Sequence, residues 1–199
     1  MTEVSVVMPV YNGAEHLDRA LASLSSQSFP SLQIIISDNA STDATPEIIE
    51  RWKARDSRIV SHRQAQNIGA IPNFKWVLAQ ADTPYAMFAC HDDAWSPNYV
   101  EELFRMLKAS PQLALAAPQM VLVRPDDSHD PRTFDEAVNE ARGLSRAFRS
   151  IRRVHSGWFY GLYRREALVE TWNVAQSFPY AWGGEFIGLL PLLAAGQVG

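Results

Sequence analysis

The stretch Tyr85–Trp95, YAMFACHDDAW, leaves an apolar run through two adjacent carboxylates, Asp92 and Asp93. Like charges side by side raise the cost of ionising each other. Such a pair either faces water in a turn, where acids also suit the start of a following helix, or it holds a cation. Mg2+ and Mn2+ prefer carboxylate oxygen and commonly take one or two protein carboxylates together with substrate phosphates. His91 reads as a hydrogen-bonding loop histidine and Cys90 as a small core residue. Three further apolar runs end on polar groups: VSVVMPV on Pro9, Tyr11 and Asn12; LQIIISD on Ser37, Asp38 and Asn39; and RIVSHR ahead of Asn67, Gly69 and Asn73. Other chemistries lack their residues. No GxGxxG follows the first run, and neither GxxxxGK[ST] nor GxSxG occurs. One cysteine excludes a disulfide framework and a cysteine-based zinc site.

The elements that must position these residues follow from periodicity. VSVVMPV (4–10), LQIIISD (32–38) and YAMFAC (85–90) are short continuous apolar runs, as in strands buried on both faces, and RIVSHR (58–63) is a weaker third strand in chain order. Between and after them, AEHLDRALASLSSQ, NASTDATPEIIERWKA, NIGAIPNFKWVLAQA and SPNYVEELFRMLKA carry apolar residues at helical spacing. The alternation predicts an α/β fold with a mostly parallel central sheet flanked by helices, Rossmann-like over residues 1–110. In such sheets ligands bind outside the carboxyl ends of the strands, at a switch in strand order. The polar groups above therefore converge on one edge.

Past residue 110 the pattern changes to a smaller lobe, 111–199, within a single domain of 1–199. LALAAPQMVLV reads as a strand pair or a bent strand broken at Pro118, and RPDDSHDPRTFDE as an exposed loop. ARGLSRAFRSIRR reads as a helix, and GWFYGLYRREAL as an aromatic strand turning into a short helix. GGEFIGLLPLLAAG reads as a final helix with Pro191 inside it and Gly196 as its stop.

A net charge of -4 argues against a dedicated nucleic-acid binder. Single-cysteine usage fits a reducing compartment. No apolar run is long enough to span a membrane and the N-terminus lacks a basic signal-peptide region, so the expected location is cytoplasmic. Arg142, Arg146, Arg149 and Arg153 recur at helical spacing, with Arg152, Arg164 and Arg165 near them. This region, Arg142 to Arg165, is either a solubilising face or an attractor for a diphosphate-bearing acceptor or an anionic membrane, which would place the protein peripherally at the inner face of the cell membrane.

Four blocks, VSVVMPVYNGAEHLDRALASLSSQSF, IIISDNASTDAT, NIGAIPNF and YAMFACHDDAWSPNYVEEL, resemble in order, spacing and wording the nucleotide-binding half of the family 2 glycosyltransferases, which have the GT-A fold. GLYRREAL and WGGEFIGLLPLLAAGQ resemble the same family more loosely. The resemblance implies transfer of a sugar, with inversion, from a nucleotide-diphosphate donor to a saccharide or lipid-linked saccharide acceptor, in bacterial surface polysaccharide or cell-envelope glycan synthesis. It implies Mn2+ or Mg2+ as cofactor, and a family chain that continues past GQVG.

Residue by residue, Pro9, Tyr11 and Asn12 match the block that walls the base pocket, and Asp38 matches the acid that hydrogen-bonds the base. A carboxylate accepts from uracil or thymine N3–H, which cytosine lacks, so a UDP- or dTDP-type donor is favoured. Asn67 and Gly69 of the third block join the donor-binding set, and Asp92 and Asp93 match the ribose and metal acids of a DxD-like motif. Glu185 matches the catalytic base, with Gly183 and Gly184 giving its backbone room to approach substrate; Glu166 is the second candidate. The chain departs from the family pattern at Ser37 and Cys90, where an acid often stands, at Pro72, where many members carry arginine, and at Glu185, where many carry aspartate. Two other functions share these features. One is a nucleotide-sugar-binding domain without independent catalysis. The other, a sugar-1-phosphate nucleotidyltransferase, would need a glycine-rich basic loop that YNGAEHLD does not supply.

Overall fold

The computed structural model describes residues 2–123, 128–132, 156–177, 184–195 and 197–199. The chain is a mixed α/β protein with a mostly parallel sheet and flanking helices. It divides into two compact units, Met1–Glu102 and Leu103–Gly199.

The first unit runs β1 (Val4–Val10), α1 (Leu17–Ser25), β2 (Leu32–Asp38), α2 (Thr45–Lys53), β3 (Ile59–Arg63), α3 (Ala70–Ala79) and β4 (Tyr85–Phe88), and α4 (Tyr99–Ala109) starts at its end. Its strands lie in the order β3-β2-β1-β4, all parallel. All seven residues of β1 are buried, as a continuous β-branched run in a central strand requires. The chain steps from β1 outward through β2 to β3. It then returns along α3, which packs on β1 and β2, to place β4 on the other side of β1. The switch in strand order therefore falls between β1 and β4, where an open α/β sheet forms its ligand crevice.

Proline in a central strand normally removes a ladder hydrogen bond. In β1 the Val7 carbonyl accepts from Ala89 N–H on the β4 side, while the Val10 carbonyl accepts from Asn39 N–H on the β2 side. Alternation places Pro9 on the β4 side, beyond the last β1–β4 pair, Val7 with Phe88. Its missing N–H thus forfeits nothing, and β1 and β4 part where the crevice opens.

In the second unit, β5 (Leu115–Ala116) pairs antiparallel with β8 (Leu162–Arg164), and β6 (Met120–Val123) forms an antiparallel hairpin with β7 (His129–Arg132). Pro118 does separate two strands. The expected exposed loop is corrected over His129–Arg132, which is strand: a two-stranded ribbon has free edges and admits Pro131 opposite Val121. The stretch read as an aromatic strand and a short helix is a 3-10 turn (Ser156–Tyr160), β8, and then a twelve-residue helix, α5 (Arg165–Gln176). Trp158, Phe159 and Tyr163 are among the largest fully buried side chains. The final helix, α6 (Gly184–Ala195), forms as expected with Pro191 inside it. A Cβ on Gly188 would lie 2.8 Å from the Thr171 carbonyl, and one on Gly184 would lie 3.0 Å from that of Ala175. Glycine at these two positions lets α6 cross α5 at close range.

Candidate active site

The acid turn follows β4 directly. One carboxylate oxygen each from Asp92 and Asp93 and the Cys90 thiol all lie within 4.8 Å of one another. Ligand bonds of roughly 2.0–2.6 Å put opposed donors about 4–5 Å apart around one cation. The three groups therefore fit a single divalent ion, with the two hard carboxylates as its natural ligands and the thiol a softer neighbour. Although the Asp93 side chain reaches solvent, desolvation by the surrounding protein raises its pKa above the usual carboxylate value, and the Asp92 charge raises it further. Arg19 and His91 act in the opposite sense. Burial, and then the Asp93 charge, likewise push the Tyr99 phenol up.

The turn is anchored on several sides. The Arg19 guanidinium on α1 donates to the Asp92 carbonyl at 2.7 Å. After the turn, Trp95 N–H donates to Ser23 Oγ at 3.2 Å, and Gln27 both donates to the Ser96 carbonyl (2.7 Å) and accepts from Val100 N–H (3.0 Å). His91 lies against the β1 turn so closely that a Cβ on Gly13 would meet its Cδ2 at 2.7 Å. A Cβ at position 13 would crowd both His91, far away in sequence, and Val10 Cγ2, also at 2.7 Å, which favours glycine there.

The turn after β1 is bound to the β2–α2 loop by side chains. Asn12 adopts a left-handed conformation (φ 50°), which asparagine tolerates. Its N–H donates to Ser41 Oγ (2.9 Å), Gly13 N–H to Thr45 Oγ1 (2.8 Å) and Ala14 N–H to Asp43 Oδ2 (3.0 Å). Desolvation opposes ionisation of Asp43, but hydrogen bonds from the Thr45 hydroxyl and from the Ala14 and Thr45 N–H groups outweigh it and hold the carboxyl below its usual value. Three successive N–H groups are therefore taken by the protein, so this loop forms no phosphate cradle, in line with its lack of a glycine-rich motif.

Ala40, in the β2–α2 loop, sits at φ 58°, a conformation that costs an L-residue roughly 1–2 kcal/mol. Ala40→Gly should stabilise the protein by about 0.5–1 kcal/mol once the greater freedom of unfolded glycine is subtracted. Urea unfolding at constant slope measures this directly, and a loss of stability would show that the left-handed conformation is not maintained.

Asp38 is buried at the end of β2. Its Oδ1 accepts from Ser41 N–H at 2.9 Å and its Oδ2 from Arg63 Nη1 at 3.0 Å. Ser37 is also buried, donates to Asn73 Oδ1 at 2.6 Å and accepts from Gln64 Nε2 at 3.1 Å. A neutral network thus occupies the position where the family pattern often has an acid. Asn67 accepts from Asn39 Nδ2 and from Gly69 N–H, both at 2.9 Å, and Gly69 (φ 89°) precedes α3 in a conformation suited to glycine. Pro9 lies within β1 and Tyr11 just beyond it, 44% exposed at the mouth of the crevice.

The first unit therefore gathers Pro9, Tyr11, Asn12, Asp38, Asn67, Gly69, Asp92 and Asp93 at the carboxyl ends of its strands. Arg19 and Arg63 are not marked by any motif in the sequence. Each bonds to residues more than twenty positions away, and local periodicity carries no sign of that. Glu185 lies half-buried in the first turn of α6 in the second unit, and exposed Glu166 in the first turn of α5. On its would-be Cβ side, Gly184 packs against the Ala175 backbone. Gly183, the arginines from Arg142 to Arg153 and the acids Asp126 and Asp127 lie outside the described residues. Arg164 is engaged within its own unit, donating to the Leu113 and Leu107 carbonyls at 2.9 Å each. Among the described residues no helix is long and apolar enough to cross a membrane.

TuaG of Bacillus subtilis (strain 168), whose name assigns it to teichuronic acid biosynthesis, is 32% identical over 99 residues, covering 50% of this chain and 39% of that protein. The chain spans well under half the length of the first curated relatives it matches. The structure of S. aureus TarS 1-349 in complex with UDP superposes with a TM-score of 0.72 at 17% identity, over 94% of this chain and 54% of that one. A mannosyltransferase from Pyrobaculum calidifontis in complex with GDP-Man and Mn2+ superposes with a TM-score of 0.55 at 17% identity, over 98% of this chain and 69% of that one. The family described as Glycosyl transferase family 2 matches residues 5–172, and with its blocks held at the carboxyl edge of such a sheet, the chain belongs to that family.

Proposed function

We propose that the chain transfers a sugar from a nucleotide-diphosphate donor of the UDP or dTDP type to an acceptor hydroxyl, with inversion, in the synthesis of an envelope glycan or surface polysaccharide. The observation that carries this reading is the Cys90–Asp92–Asp93 cluster at the switch in strand order, with ligand atoms within 4.8 Å of one another. Asp93, with Asp92, holds a Mn2+ or Mg2+ ion, and Asp92 also faces the ribose. A bound divalent cation offsets the charge that develops on a departing diphosphate. Pro9, Tyr11 and Asn12 wall the base, which Asp38 specifies, and Asn67 and Gly69 shape the loop beside it. Glu185 accepts the proton of the acceptor hydroxyl as that oxygen attacks the anomeric carbon from the face opposite the diphosphate. The UDP and Mn2+ named for the structural relatives support donor and cation, and the name of TuaG supports the envelope setting.

A thermal-shift panel of nucleotide sugars, run with and without Mn2+, tests the binding half of this reading. A UDP- or dTDP-sugar at about a hundred times its Kd should stabilise the protein by roughly 2.7 kcal/mol, and only with the metal present. If no nucleotide sugar raises the melting temperature in Mn2+, the donor assignment is wrong. Stabilisation without release of the nucleoside diphosphate, across a set of acceptors, would favour a binding domain over an enzyme.

A further inference from the structure

We propose that Arg63 is a further specificity-determining residue of this chain, meeting the donor base beside Asp38, which also holds it in place. This rests on the reading of the strand ends as a nucleotide site. Among the residues at the carboxyl ends of the first three strands (Val10–Gly13, Ser37–Asn39 and Arg63–Gly69), the charged side chains are Asp38 and Arg63. They are paired at 3.0 Å, with the Asp38 side chain 3% exposed and that of Arg63 50% exposed. The pair thus turns its cationic half to solvent and keeps its anionic half inside.

Arg63 is also fixed in orientation. Nη1 is held by Asp38 Oδ2, and Nη2 donates to the Ser41 carbonyl at 2.7 Å. Two bonds to a planar fork immobilise the guanidinium and leave its other N–H donors for an acceptor. The O2 and O4 atoms of uracil or thymine are such acceptors. The buried carboxylate already takes Ser41 N–H on its other oxygen, at 2.9 Å. Of the pair, the guanidinium is the half open to a ligand from solvent. The chain also has proline at 72, where the family pattern places an arginine, so the first turn of α3 (Ala70, Ile71, Pro72) brings no cation of its own. Arg63 reaches the strand ends from β3 instead.

Isothermal titration with Mn2+ present, using UDP and inorganic pyrophosphate as separate probes, tests this. Arg63→Ala should weaken UDP by about tenfold to a hundredfold, the range for one lost charge-assisted hydrogen bond, while pyrophosphate binding stays within about twofold. Arg63→Lys, which keeps the charge but not the fork, should fall between. Circular dichroism and the melting temperature of each variant establish that it is folded. Unchanged UDP affinity in a folded Arg63→Ala protein would overturn the proposal while leaving the functional reading intact. Equal loss of UDP and pyrophosphate would also overturn it, since Arg63 would then act on the phosphates or on the fold. Wild-type protein that binds neither probe would remove the functional reading and this proposal with it.

Discussion

Glu185→Gln should lower sugar transfer by about a hundredfold to ten-thousandfold while leaving donor affinity nearly unchanged. Glutamine preserves the size and hydrogen-bonding reach of the side chain but cannot take a proton. The expected loss is therefore that of a general base. It should appear in kcat, because the proton moves only as the acceptor oxygen attacks. Glu185 stands in the first turn of a helix whose crossing with α5 is fixed by Gly184 and Gly188, so the substitution has a rigid support and little structural cost. The measurement pairs steady-state release of nucleoside diphosphate with titration of the donor. Full activity in Glu185→Gln would move the base elsewhere, with Glu166→Gln as the next test. Loss of donor binding along with activity would instead make Glu185 a structural residue.

Asp93→Asn should abolish metal-dependent donor binding, with turnover down at least about a hundredfold, and yet leave the metal-free protein no less stable. The second half separates a functional acid from a structural one. Asp93 has its pKa raised, first by desolvation and then by the Asp92 charge, so the fold favours its neutral form. For a raised carboxyl, the stabilising contribution is complete below the unfolded-state value, near 3.8, and is lost as pH rises through the higher folded-state value. At neutral pH the ionised side chain therefore costs stability until a cation compensates it. Asparagine removes that cost, and the melting temperature without metal should stay level or rise. By the same linkage, Mn2+ affinity of the wild-type protein should fall as pH drops through the raised Asp93 pKa, with proton release on binding. Titration calorimetry in two buffers of different ionisation enthalpy measures that release. A clear drop in the metal-free melting temperature of Asp93→Asn would mark the acid as structural and count against the cation site.

The strands and helices of the first unit were legible because their signals are local. VSVVMPV and LQIIISD announce strands buried on both faces, and Leu17, Leu21 and Leu24 repeat along one helix face, each pattern set by burial of the segment itself. The second unit was less legible. β5 and β8 are two and three residues long and owe their pairing to each other across more than forty positions, and β7 lies in an acidic, proline-bearing stretch without strand periodicity. The length of α5 is not legible in the sequence because its buried face mixes Leu168, Thr171, Trp172 and Ala175, so that packing rather than an apolar stripe defines it.

By itself, the sequence determined which chemistry is available: adjacent acids after one strand, polar groups after three others, no phosphate cradle, no nucleophile elbow, and the family. Only the tertiary structure decided how those groups are held. It put the Gly13 backbone against His91, laid Arg19 over the acid turn, set Asp38 inside and Arg63 outside, and turned Gly184 toward a neighbouring helix. The physical reason is the range of each interaction. Hydrophobic periodicity is written within one segment. Close approach, ion pairing and desolvation arise between segments that the chain brings together only when the sheet closes its order around β1.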